Sequence, residues 1–294
     1  MQNKKIRANL LLLLTAFIWG MAFVAQSRGM ESCGPFLFNG VRSILGGTVL
    51  LPVIFFMDKK SGKTRENTTW PLLGGLFCGL ALFTASSLQQ IGIIGAGAGK
   101  AGFITALYVV LVPVLGIFLR KKTSLKTWIS VAIAIYGMYL LCMTEASFSI
   151  EKSDILLLLC ALVFAVHIII IDHFAPRSDC VRMACLQFYV AGVLSLIVAC
   201  FTENVQLSDI ISAGIPILYT GILSSGVAYT LQIVAQKDTD ATSAALICSL
   251  ESAFALLGGF MLLGESFTLR ELFGCALTFG AIILSQISLN RKDR

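Results

Sequence analysis

The ionisable residues that lie within long apolar stretches of this 294-residue chain are few: Arg42, His167, Glu251 and, near the end of a stretch, Lys100. A charge held at mid-bilayer depth costs about 2.5–3.5 kcal/mol on insertion scales, so each such group needs a partner, a water-filled cavity or a bound ligand. Glu251 is the deepest. Lining a cavity, it would bind a cationic group or carry an exchangeable proton; as a structural carboxylate it would pair with Arg42 or accept hydrogen bonds from Ser and Tyr. Arg42 stands about two turns into its stretch, and would meet a carboxylate or phosphate, pair with Glu251, or snorkel to the membrane surface. His167 is either a ligand to a solute or a packed, hydrogen-bonded residue. Lys100 opens a stretch beside Gly95, Gly97, Gly99 and Gly102. There it would attract an anion at a helix N-terminus or anchor the helix at the interface.

Uncharged polar residues gather in particular stretches. Ser86, Ser87, Gln89 and Gln90 fall in one, Thr105 and Tyr108 in the next. Later come Ser224, Ser225, Tyr229 and Gln232, then Ser249 and Ser252. Such residues either hydrogen-bond between helices or line a wet cavity. Trp19 and Phe23, at helical spacing i and i+4, would give that cavity an aromatic wall. Tyr108 and Glu251 occupy corresponding places in two similar halves, which predicts that they face one centre. Pro113 and Pro52 interrupt their helices and are expected as kinks, with Pro113 and Lys100 as gating positions. Asp172 is expected to be solvated or to form a gate pair with Arg177.

The elements that must position these groups follow from composition. Hydrophobic types make up 57% of the chain, charged residues only 13%, and mean hydropathy is +0.87. Soluble domains carry about 25% charge, so a soluble globule is excluded, and so is disorder. Ten stretches have the roughly 20 apolar residues that a bilayer-crossing helix needs: 8–28, 36–57, 70–90, 99–119, 125–143, 154–173, 181–201, 212–234, 242–263 and 269–289. They are far longer than the alternating strands of a membrane barrel. The expected fold is an all-α polytopic membrane protein. Lys4, Lys5 and Arg7 precede the first stretch, which reads as an uncleaved helix.

Of the 22 Lys and Arg, all but Arg28, Arg42, Lys100, Lys152 and Arg270 fall on one side of the resulting topology. Cytoplasmic segments carry such an excess, so both termini are expected in the cytoplasm, with the chain in the cytoplasmic membrane. The net charge of +6 is then topological, and nucleic acid is not an expected partner. None of the nine cysteines forms a CxxC pair. Buried Cys packs as a small hydrophobe, and neither a metal nor a cofactor is expected.

The chain also repeats itself. Leu10 to Gly20 (LLLLLTAFIWG) is echoed by Ile155 to Ala165 (ILLLLCALVFA), Leu88-Gln89 by Leu231-Gln232, and LRKKTSLKTW from Leu119 by LGESFTLREL from Leu263. Two halves, 1–145 and 150–294, then hold five spans each. Because five is odd, the second half would enter the membrane from the opposite side, as in the inverted repeats of secondary transporters.

With Trp19-Gly20 and Phe23, Arg42, the Gly95 to Gly102 segment, Val112-Pro113, Ala241 to Leu250 and LLGESFTLRELFG from Leu262 to Gly274, the chain resembles EamA-type permeases of the drug/metabolite transporter superfamily. The resemblance covers nearly the whole chain. In the ninth span, where the family often has Pro, this chain has Glu251-Ser252. The resemblance implies ten helices in two inverted five-helix repeats. It also implies a substrate cavity lined chiefly by spans 1–4 and 6–9, and export of an amino acid, metabolite or amphipathic drug by alternating access. Candidate substrate residues are Glu251, Arg42, Trp19, Phe23, Tyr108, Thr105, Tyr229, Gln89, Ser249 and His167. A Walker motif is absent, as are HExxH, GxSxG and a GxGD-like aspartate. A carrier is therefore expected over a channel or an intramembrane enzyme, as a monomer or homodimer with the lipid bilayer and a small-molecule substrate as partners.

Overall fold

The computed structural model describes residues 2–61, 69–121, 123–142, 151–263 and 268–286. Among them all regular structure is helical. The first half contributes α1 (Gln2–Gly29), α2 (Pro35–Ser61), α3 (Thr69–Ala106), α4 (Tyr108–Phe118) and α5 (Leu125–Cys142). The second contributes α6 (Lys152–Phe174), α7 (Cys180–Thr202), the short α8 (Leu207–Ser212) and α9 (Gly214–Leu218), and a π-helical stretch Tyr219–Tyr229. It continues as α10 (Thr230–Ala235), α11 (Ala241–Cys248), α12 (Glu251–Leu263) and α13 (Leu269–Gln286).

Among the described residues eight helical stretches are long and apolar enough to cross a bilayer. Four lie in each half: Asn3–Gly29, Pro35–Lys59, Thr69–Ala96 and Lys100–Phe118, then Lys152–Arg177, Cys180–Thr202, Gly214–Ala235 and Ala241–Gly258. The fifth and tenth expected spans correspond to α5 and α13, which are shorter and pack against each other. Their backbones nearly touch. A Cβ on Gly137 would lie 2.6 Å from Thr278 Oγ1 and 2.8 Å from the Gly274 carbonyl. The ends of the expected fifth and tenth spans, 143 and 287–289, lie outside the described residues. So do parts of the basic segments, including Lys63, Arg65, Lys122, Arg291, Lys292 and Arg294.

The burial pattern is that of a membrane protein. Large apolar side chains such as Phe55, Phe56, Leu72, Leu158, Ile197, Phe201 and Met261 are exposed, whereas Gln90, Asn39, Gln187 and Thr220 are fully buried. A soluble monomer rarely exposes so large an apolar surface; hydrocarbon tails accept it. Local signals start the helices. Asp179 accepts hydrogen bonds from the Val181 and Arg182 amides and caps α7, and Asp240 accepts from the Ser243 amide and caps α11.

The α3 segment cannot be a straight rod. Gln89 Nε2 lies 3.4 Å from Thr105 Oγ1, whereas residues 16 apart in one α-helix stand about 24 Å apart. The chain therefore reverses between them, in the glycine-rich segment that separates the third and fourth expected spans. Two further helices are interrupted at depth. A turn at Leu107 precedes Tyr108, and a turn at Ser249–Leu250 precedes Glu251. Backbone interruptions at membrane depth are tolerated where they are buried in protein or line a cavity.

One contact ties the halves together at the bundle end. The Glu203 carboxylate, just past α7, accepts hydrogen bonds from the amides of Phe36 (2.8 Å) and Leu37 (2.9 Å) in the first turn of α2. These donors have no partner within their helix. Glu203→Ala is expected to cost about 1–2 kcal/mol, the usual cost of losing a cap. It should lower the detergent melting temperature by a few degrees, with Glu203→Gln intermediate. An unchanged melting curve for the Ala variant would show that the cap contributes nothing. Cys33, in the adjoining loop, is buried there. Desolvation, with Glu203 and Asp209 nearby, pushes its thiol up to about 12, which makes it a poor nucleophile at neutral pH.

Candidate functional site

The two helix interruptions place Tyr108 and Glu251 against each other. Tyr108 is the first residue of α4 and Glu251 the first of α12. The Tyr108 hydroxyl donates to Glu251 Oε1 at 3.0 Å, across 143 residues of sequence. Both are buried, Glu251 to 4% exposure. The facing of these two positions, expected from the repeat alone, is realised as a direct bond.

Around this bond lies a cavity of about 40 Å³, room for a few water molecules. One stripe of α1 forms a wall: Trp19, Ala22, Phe23 and Gln26, spaced as one helical face requires. Arg42 enters from α2. It is 7% exposed, its Nη1 donates to Gln26 Oε1 at 3.0 Å, and its guanidinium lies 5.6 Å from the Phe38 ring centroid. Among the described residues no carboxylate lies within ion-pair distance of it. Gln89 and Thr105 contribute from either side of the chain reversal in α3. From the second half come Phe164, His167 and Ile168 of α6, Ser224 and Tyr229 of the π stretch, Gln232 of α10, and Glu251. Both halves thus build one cavity.

The π stretch is held by α1. Thr15 Oγ1 donates to the Ala228 carbonyl at 3.1 Å, and the Tyr219 hydroxyl donates to the Ile18 carbonyl at 3.1 Å. This brings Trp19 and Tyr229 to 4.6 Å between ring centroids. His167 and Phe188 meet the same tyrosine edge-on at 5.9 and 5.7 Å. Helical segments with π geometry are uncommon and cluster at functional sites. His167 Nε2 is 3.1 Å from Gln187 Oε1, so it is both packed and at the cavity.

Of the substrate residues expected from sequence, Glu251, Arg42, Trp19, Phe23, Tyr108, Thr105, Tyr229, Gln89 and His167 all line this cavity. Ser249 does not; it is buried at the α11–α12 turn, where its hydroxyl donates to the Leu246 carbonyl at 2.8 Å. Arg42 neither snorkels to the surface nor pairs with Glu251. Lys100 lies apart from the cavity, 2.7 and 2.8 Å from the two carboxylate oxygens of Asp154. Pro113 is buried within α4, away from the lining. Asp172 pairs with Lys121 instead of Arg177, and Arg177 stacks 5.2 Å from the Trp70 ring centroid. Ala22, Gln26, Phe164, Ile168, Ser224 and Gln232 complete the lining. Gln26 was not singled out from the sequence; its spacing, i+7 from Trp19 and i+3 from Phe23, is the signal that places it on the same face.

Comparison with known proteins agrees with this architecture. The family model described as the EamA-like transporter family matches twice, over residues 6–143 and 151–287. An uncharacterized transporter of Archaeoglobus fulgidus is 33% identical over 282 residues, covering 96% of this chain and 86% of the relative. An S-adenosylmethionine/S-adenosylhomocysteine transporter of Chlamydia muridarum is 23% identical over 296 residues, covering 92% and 90%. A solved crystal structure superposes with a TM-score of 0.79 at 16% identity, over 94% of this chain and 97% of the other; at that identity the likeness concerns the fold alone. Two family matches spanning nearly the whole chain, apolar helices of membrane-crossing length, and a buried cavity built by both halves lead to one conclusion: the chain is a multi-pass membrane protein that belongs to the EamA-like transporter family.

Proposed function

We propose that this protein is a secondary transporter that carries a small organic solute across the cytoplasmic membrane by alternating access, in the direction of export. In this reading α5 and α13 are the fifth and tenth spans. Residues 1–145 and 150–294 form two five-helix repeats of opposite orientation, with both termini in the cytoplasm. The observation that carries the reading is the buried cavity between the halves, crossed by the Tyr108–Glu251 bond. Interrupted helices meeting at a central site are the usual architecture of such carriers. Glu251, at the meeting point, serves as the coupling residue, which alternates between holding a proton and holding a cationic group of the solute.

The Chlamydia relatives supply a first probe, S-adenosylmethionine. It carries a carboxylate and cationic centres suited to Arg42 and Glu251, and a flat base suited to the aromatic wall. Purified protein reconstituted in liposomes is expected to give saturable flux, accelerated by unlabelled solute on the far side. Counterflow of this kind requires a carrier. Unitary ionic conductance without counterflow would instead identify a channel.

A further inference from the structure

We infer that the rim where α3 begins and α6 ends binds an anionic phospholipid, with the lipid phosphate on Arg177 and an acyl chain against Phe77. Neither residue lines the central cavity. The rim is built by a short 3-10 turn, Ala175–Arg177, that ends α6 with Pro176 near its start. Proline fixes its own φ there, and the turn carries Arg177 over Trp70 at the start of α3, 5.2 Å from guanidinium to ring centroid. The same tryptophan meets Phe174 at 5.6 Å and His173 at 6.1 Å, and Phe77 stacks on Phe174 at 6.1 Å. The two helices approach closely at this level, since a Cβ on Gly74 would lie 3.0 Å from Phe174 Cβ. An aromatic wall thus stands beside one arginine.

Arg177 is the cation that this rim leaves over. Asp172 is spent on Lys121, and Asp58 and Asp179 are both spent on Arg182. Among the described residues Arg177 makes no ion pair, and its partner is the Trp70 ring. A guanidinium held over a ring by its charge keeps its N–H donors for another ligand. Its planar fork matches a phosphate, and an arginine already oriented loses less freedom when it binds one. The surface beside it selects a lipid over a free anion. Phe77 is 47% exposed, and Leu73 and Leu80, at i−4 and i+3 on the same face, are exposed as well. A free phosphate gains nothing from that face, whereas an acyl chain covers it. Tryptophan favours the membrane–water interface, which puts Trp70 and Arg177 at headgroup level. In the proposed topology this is the cytoplasmic leaflet, whose anionic lipids attract basic side chains.

The test uses the full chain in detergent with three probes: phosphatidylglycerol, phosphatidylcholine and inorganic phosphate. Native mass spectrometry reads the lipid retained, and a melting curve reads the fold. From an equimolar mixture the protein is expected to keep phosphatidylglycerol about fivefold over phosphatidylcholine, the preference that one arginine at a headgroup supplies. Phosphatidylcholine also has a phosphate, but its own ammonium opposes Arg177. Arg177→Gln should bring the ratio close to one. The side chain is exposed, so the melting temperature in phosphatidylcholine should not move. Arg177→Lys, which keeps the charge without the fork, should keep part of the preference, and Trp70→Leu should lower it by freeing the arginine. Arg182→Gln is the control, because that charge is already spent on Asp58 and Asp179; the preference should stay. Equal retention of the two lipids by the parent overturns the inference. So does a preference that survives Arg177→Gln, or one that Arg182→Gln abolishes as fully, since either would mean diffuse attraction to a basic rim. Inorganic phosphate that displaces the lipid would make this a free-anion site and overturn it too.

Discussion

Glu251→Gln is expected to lower solute flux by about 100-fold while leaving the melting temperature within a few degrees of the parent. The asymmetry follows from the two faces of this carboxylate. Its inward partner is the Tyr108 hydroxyl at 3.0 Å, and the glutamine carbonyl accepts the same hydrogen bond in nearly the same place. In the proposed function its outward partner is the solute. Truncating one side of a buried charge pair costs about 2–5 kcal/mol, and each 1.4 kcal/mol is a factor of ten. In addition, glutamine has no proton to exchange. Accumulation driven by a pH gradient should therefore vanish, even where residual one-for-one exchange persists. Flux in liposomes with and without the gradient, beside a melting curve in detergent, measures both. Full gradient-driven transport by the Gln variant would remove Glu251 from the mechanism. Equal loss of flux and fold would make it a structural carboxylate only.

The second large effect is steric. Gly20 follows Trp19 on α1 and faces the first turn of α12. A Cβ placed on it would lie 2.4 Å from Phe254 Cβ and 2.7 Å from both the Ala255 nitrogen and the Glu251 carbonyl oxygen. Two of those three atoms are backbone, so no side-chain rotation relieves the clash. Overpacking of this kind costs about 1–3 kcal/mol, and it acts on the turn that begins with Glu251. Gly20→Ala is thus expected to lower the melting temperature by several degrees and to reduce flux at least tenfold by pushing α12 away from α1. Gly280→Ala is the matched control. It lies in α13 with no atom within 4 Å of the added methyl, and helix propensity favours Ala over Gly by about 1 kcal/mol. It should be neutral or slightly stabilising. If both variants melt alike, close α1–α12 contact is not what the glycine provides.

The aromatic stripe of α1 was legible because its spacing is local: Trp19 and Phe23 share a face whatever the helix meets. The Tyr108–Glu251 pairing was legible because the two halves repeat, which gives one position a counterpart in the other. The fate of Arg42 was not. Snorkelling, pairing with Glu251 and facing a cavity all satisfy the same local sequence, and they differ only in how α2 is rotated toward Gln26. Ser249 likewise has the residue type of a cavity group, but the α11–α12 turn directs its hydroxyl to the Leu246 carbonyl. Lys100, beside its glycines, resembled an anion site until Asp154, 54 residues later, came to neutralise it.

Residue types and their order alone determined that this chain lives in a bilayer, where its apolar runs begin, and which few polar groups are costly enough there to need a reason. That is a matter of transfer free energy, which each residue carries with it. Only the tertiary structure decided which of those groups meet. A helix that is apolar all round gives no moment to tell a lipid-facing side from a packed one. Its rotation is set by neighbours far away in sequence, through close contacts such as that of Gly20 with Phe254 and hydrogen bonds such as that of Gln89 with Thr105. The cavity exists because both halves close around it, and no single segment encodes it.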